Sequence, residues 1–113
     1  MAGEVFPLSN VLAERDRSGR LYHEFLRVPP MSAGVYVLAP GATDPQKPHR
    51  EDEVYVVLRG RATIRIEDAD RAVSTGDTIF VPARVPHRFH SVTDELVVLV
   101  IFAPAETSPA APA

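Results

Sequence analysis

Punctuation is the feature that most constrains what this chain can fold into. From Gly34 onward, short β-branched and apolar segments follow one another, each closed by glycine, proline or an acidic turn. "GVYVLAPG" closes at Pro40 and Gly41, "EVYVVLRG" at Gly60, "RATIRIED" at "EDAD", and "RAVSTGD" at Gly76. "TIFVP", "HRFHSV" and "ELVVLVIFAP" complete the series, the last being the most apolar. In "RATIRIED" the alternation is clean: Ala62, Ile64 and Ile66 share one face, and Thr63, Arg65 and Glu67 the other. Roughly seven or eight short strands punctuated in this way predict an all-β sandwich or small barrel.

The ends of the chain read differently. "PLSNVLAERDRSG" predicts a short helix, with Ser9 or Asn10 as its cap and Gly19 as its end. "RLYHEFLRV" looks extended and stops at Pro29 and Pro30. "AETSPAAPA" offers nothing to bury and is expected to be disordered. The expected organisation is an N-terminal helix and arm over 1–33, a β-barrel over 34–103 and an Ala/Pro tail over 104–113.

At 113 residues the chain suits one compact domain. Its 12 Lys plus Arg against 15 Asp plus Glu give a net charge of -3, which argues against nucleic acid or an anionic membrane as partner. Arg15, Arg17, Arg20 and Arg27 are interleaved with acids and read as a mixed, solvated surface. Without cysteine, disulfides, thiolate metal sites and a cysteine nucleophile are excluded. No secretory signal is visible at the N-terminus, and the run "LVVLVIFAPA" is too short to span a bilayer, so a cytoplasmic protein is expected. No Walker-type lysine or nucleotide-binding glycine loop is present.

One stretch raises a chemical question. In "PHREDEVYVVLRG", His49 and Glu53 stand at the mouth of an apolar strand. A carboxylate entering a sheet is costly unless something pairs with it. The partner is either a metal ion or a basic side chain. Downstream, His87 follows "FVPARVP", also at a strand entry. Two imidazoles and one carboxylate, with positions left open, form the facial set used by non-haem iron(II) and suit other divalent ions.

The spacing of these residues resembles the two motifs of the cupin superfamily, in its small single-domain bacterial form. The first motif runs Gly41, five residues, Lys47, His49, three residues, Glu53, six residues, Gly60. The second runs Gly76, five residues, Pro82, Arg84, His87, Ser91. The resemblance implies a double-stranded β-helix, or jelly roll, with a metal inside the barrel and His49, Glu53 and His87 as its ligands. It implies a divalent transition metal, with Fe(II) favoured over Zn, Mn, Ni or Cu. The chain departs from the family pattern at Lys47 for the first His, Arg84 for a Gly and Ser91 for the final Asn. Lys47 is the departure with chemical weight: it turns outward, stays neutral, or replaces the metal by pairing with Glu53.

Tyr55 and Val57 share the parity of Glu53, and Phe89 that of His87, so they are expected inside the barrel; Tyr36 is a further pocket candidate. Lys47 and Tyr55 are the candidates for moving protons. His90 and His23 read as surface or structural histidines, and Arg61 and Arg65 as solvated strand residues. Glu51 and Asp52 are candidates for orienting His49, or plain loop charges. The expected function is a metal-dependent enzyme on a small organic molecule, with oxygenase or dioxygenase chemistry first and isomerase or lyase chemistry next. A non-catalytic small-molecule-binding barrel, possibly metal-free, is the alternative. The resemblance also implies a homodimer.

Overall fold

The computed structural model describes residues 3–107. The chain runs α1 (Leu8–Ser18), β1 (Tyr22–Val28), β2 (Met31–Leu38), β3 (Asp52–Ile66), β4 (Ala69–Ser74), β5 (Thr78–Val81) and β6 (His87–Ala103). The sheet order is β1-β2-β6-β3-β4, with β5 on β3, and every pairing is antiparallel. This is the expected all-β jelly-roll barrel with one short N-terminal helix.

The strands are fewer and longer than the punctuation predicts. "EVYVVLRG" and "RATIRIED" are one strand, β3, and "HRFHSV" and "ELVVLVIFAP" are one strand, β6. The reason lies at the bends. In β3 the buried positions are Glu53, Tyr55 and Val57, then Ala62 and Ile64, so the parity flips between Val57 and Ala62. Register shifts against β6 occur at that point, and an extra residue in a bulge is what reverses the faces. Gly60 makes the bend possible. Its φ is +100, and a Cβ there would stand 2.2 Å from the Glu95 carbonyl oxygen. Each long strand thereby serves both layers, and the enclosed core takes side chains from β2 through β6.

β2 is buried along almost its whole length, paired with β1 and β6 on its two edges and with α1 packed against it. Val11 is the buried residue of α1. Neither Ser9 nor Asn10 caps the helix with its side chain. Pro7 is the N-cap, and its carbonyl accepts from the Asn10 and Val11 N–H groups. Gly19 does end it, donating its N–H to the Arg15 carbonyl. Among the described residues no helix is long and apolar enough to cross a membrane.

At the other end, Ala105 and Glu106 are buried, so the stretch after Ala103 does have a surface to bury. The remainder of the expected tail, 108–113, lies outside the described residues.

Two substitutions test the backbone reading. Gly60→Ala is expected to cost about 2–4 kcal/mol, combining a backbone clash with left-handed strain. Arg84 sits at φ +68 where the motif has glycine, so Arg84→Gly is expected to gain about 1 kcal/mol. Thermal and urea unfolding of both variants checks the two signs.

Candidate metal centre

Three short segments build the centre. His49 lies in the loop just before β3, Glu53 is the second residue of β3, and His87 opens β6. β5 pairs with the start of β3, placing Val81 opposite Glu53, and the turn after β5 then delivers His87. The Arg84 N–H in that turn donates to the His49 carbonyl at 2.6 Å, which ties the two motifs together. One donor atom from each of His49, Glu53 and His87 lies within 4.8 Å of the others, and all three residues are buried.

The detail at His87 defines what the centre needs. Its Nδ1 lies 2.9 Å from the Val85 carbonyl, which can only accept, so Nδ1 carries the proton. Nε2 of the neutral ring then presents a lone pair. It faces Glu53 Oε1 at 2.9 Å, with both side chains 1% exposed. Two lone pairs at that distance repel unless a cation lies between them. Burial pushes the Glu53 carboxyl above the ordinary carboxylate range, while His87, His49 and Tyr55 pull it back. A divalent ion or a proton both meet the need, and neutral imidazole with carboxylate is a donor set suited to zinc, iron(II) or manganese.

A polar chain runs from this centre into the barrel. The Tyr55 hydroxyl is 3.1 Å from His87 Nε2 and donates to Gln46 Oε1 at 2.8 Å. The Gln46 amide donates to Asp44. The Asp44 carboxylate also accepts from the Tyr36 hydroxyl at 2.5 Å and from the Phe89 N–H at 2.8 Å. Burial drives the Tyr55 phenol well above its ordinary range, reinforced by Glu53 and Asp44. Burial and Asp44 do the same to Tyr36. Both hydroxyls therefore keep their protons. Phe89 stacks edge-on against Tyr55, and Val57 is buried beside them in the same core.

Lys47 is exposed, and its neighbour Gln46 turns inward in its place. The outward option for Lys47 is the one adopted. Glu53 has His87 beside it rather than Lys47. His90 bonds Asp70 and Ser91 at the surface, and His23 pairs with Glu14 of α1. Asp52 accepts from the Ala83 N–H, and Glu51 accepts from Thr107. The acid beside His49 is instead Glu106, whose Oε2 lies 3.0 Å from His49 Nδ1.

Sequence reasoning missed Asp44, Gln46 and Glu106. Asp44 and Gln46 sit in a proline-flanked loop without a period to show which side chains turn inward. Glu106 lies in a tail whose composition reads as solvent-exposed. The only available signal was an acid isolated in an otherwise small-residue stretch.

Residues 34–103 match the family profile described as "Cupin domain". An uncharacterised protein of Streptomyces coelicolor is 44% identical over 104 residues, covering 92% of this chain and 99% of that protein. A Cupin 2 conserved barrel domain protein from Salinispora arenicola superposes with a TM-score of 0.71 at 23% identity, over 91% of this chain and 90% of the other. DMSP lyase DddQ from Ruegeria pomeroyi superposes with a TM-score of 0.63 at 26% identity, over 67% of this chain but 39% of the lyase.

Asp44→Ala removes the acceptor of two buried donors and is expected to cost about 3 kcal/mol, whereas Tyr36→Phe costs about 1 kcal/mol. Urea unfolding midpoints at constant m-value check the ratio.

Proposed function

Because the chain belongs to the cupin family, we propose that it is a metal-dependent enzyme acting on a small organic molecule, with His49, Glu53 and His87 holding the ion. The observation that carries this reading is the opposed pair of buried acceptors, Glu53 Oε1 and His87 Nε2 at 2.9 Å, which asks for a cation. When bound, a divalent ion supplies Lewis acidity, and iron(II) adds redox chemistry with dioxygen.

The protein's own contribution centres on Tyr55. Its hydroxyl keeps its proton, is oriented by Gln46 and sits beside His87. A phenol so placed can turn its single hydrogen from Gln46 to an oxygen of a substrate held next to His87, acting as a hydrogen-bond donor and not as an acid, since its pKa is raised. Such a donor suits lyase or isomerase chemistry, in which charge develops on a substrate oxygen, as well as the oxygenase chemistry that the sequence reading put first. The likeness to a DMSP lyase makes lyase chemistry one of the first to assay. Tyr36, Val57 and Phe89 close the interior around Tyr55 and keep water out. Lys47 stands exposed on the loop, and in this reading the proton-bearing group beside His87 is Tyr55.

The alternative is a metal-free binding barrel. A specific observation favours it: 2.9 Å is also a hydrogen-bond length, and one proton shared by Glu53 and His87 would satisfy both. A homodimer belongs to the same proposal, since β1 is an edge strand able to pair with a second copy.

Metal analysis of untagged protein separates the readings. About one equivalent of a transition metal in the parent, lost in His49→Ala and His87→Ala, is the expected result. An iron-loaded protein that consumes dioxygen with candidate substrates would restore the oxygenase reading. A parent that stays metal-free after reconstitution with iron, zinc, manganese, nickel and copper would leave the shared-proton barrel. Light scattering gives the oligomeric state.

A further inference from the structure

The stretch after β6 does not leave the barrel. The Ala105 N–H donates to the Pro29 carbonyl at 3.3 Å, and the Glu106 N–H donates to the buried Ser32 hydroxyl at 2.9 Å. The Thr107 hydroxyl donates to Glu51 Oε2 at 2.7 Å, and its N–H reaches the same oxygen at 3.2 Å. Residues 105–107 therefore form a strap pinned to the turn between β1 and β2, to β2 itself, and to the loop that carries His49.

The strap carries one carboxylate inward. Glu106 Oε2 lies 3.0 Å from His49 Nδ1, with the two side chains 3% and 1% exposed. The contact is poorly aligned for a hydrogen bond, so the carboxylate acts through its charge: it favours the proton on Nδ1 and leaves Nε2 as the ring nitrogen with a lone pair. Phe102 holds the same ring from another side, in an edge contact with centroids 4.8 Å apart. His87 is arranged in parallel, with the Val85 carbonyl doing for it what Glu106 does for His49.

Charge points the same way. Glu106 is 2% exposed, and among the described residues no Lys or Arg forms an ion pair with it. A buried carboxylate without a basic partner is expensive. A cation held on His49 would offset that cost.

We propose that Glu106 is a positioning residue for the metal centre. It favours the Nδ1–H tautomer of His49 and so leaves the Nε2 lone pair for the ion. The proposal rests on the metal reading above for its purpose, but the tautomer is a property of the protein alone. The strap is thus part of the centre and not a tail.

The test uses the full chain, Glu106→Gln, Glu106→Ala and Thr107→Ala. Circular dichroism confirms folding, and if Glu106→Ala fails to fold, Glu106→Gln carries the test. Long-range proton–nitrogen correlation spectra of 15N-labelled apo protein report the His49 tautomer, assigned by its loss in His49→Ala. Zinc titration against a competing chelator reports affinity.

In the parent, His49 is expected with its proton on Nδ1. Glu106→Gln keeps that tautomer, because the amide oxygen still turns a negative partial charge towards Nδ1–H, but loses about tenfold in zinc affinity with the charge. Glu106→Ala loses the fixed tautomer and about a hundredfold in affinity. Thr107→Ala loosens the strap without removing the carboxylate, and keeps both tautomer and affinity. A parent with the proton on Nε2, or a Glu106→Ala variant with parental tautomer and affinity, overturns the proposal. So does a Thr107→Ala variant that reproduces the full loss, since the strap would then act as packing alone. A parent that binds no zinc or other divalent ion overturns the metal reading instead, and the tautomer result then decides the role of Glu106 by itself.

Discussion

A carboxylate at the start of a buried strand is held there against its own hydration, and around Glu53 that cost organises much of the barrel. The site around it is rich in acceptors: two carboxylate oxygens, the Nε2 lone pair of His87 and the Gln46 amide oxygen. The Tyr55 hydroxyl has a single proton to offer among them. A proton or a metal ion between Glu53 and His87 meets the shortage. The residues behind the centre hold the candidate ligands in place. Val85 sets the His87 ring, Glu106 stands behind His49, and Gln46 with Asp44 sets Tyr55.

The fold delivers this centre through two long strands that bend. β3 and β6 each change face part-way along, so one strand contributes both to the layer that carries the ligands and to the layer that closes the core. Gly60 permits the bend in β3 because the Glu95 carbonyl passes where a Cβ would be. In β6, Ser91 adopts φ +52 close to the change of parity. The bends and the ligands are therefore not independent. A change that straightened β3 would move Ala62 and Ile64 off the inner face, and would shift the pairing that holds Glu53 opposite Val81 and Phe102.

The short strand-like runs in the sequence were legible because alternation and glycine or proline punctuation are local properties. The same locality misled about strand number, since a bulge and a turn look alike when only the chain is read. His49, Glu53 and His87 were legible because motif spacing preserves their places at strand entries. The loop between Gly41 and His49 was not legible in this way. Its prolines remove any regular period, and which of Gln46 and Lys47 faces inward depends on the Asp44 network that meets them there.

By itself, the sequence determined an all-β barrel, the three candidate ligands and the absence of sulfur chemistry, because these follow from residue type, alternation and spacing. The tertiary structure alone decided that Lys47 faces solvent, that Gln46 and Asp44 orient Tyr55, and that Glu106 stands behind His49. Each of these depends on contacts between segments far apart in the chain. Glu106 is the clearest case. Nothing near it in sequence calls for burial, and only the closure of β6 against β2 and the His49 loop creates the place that it fills.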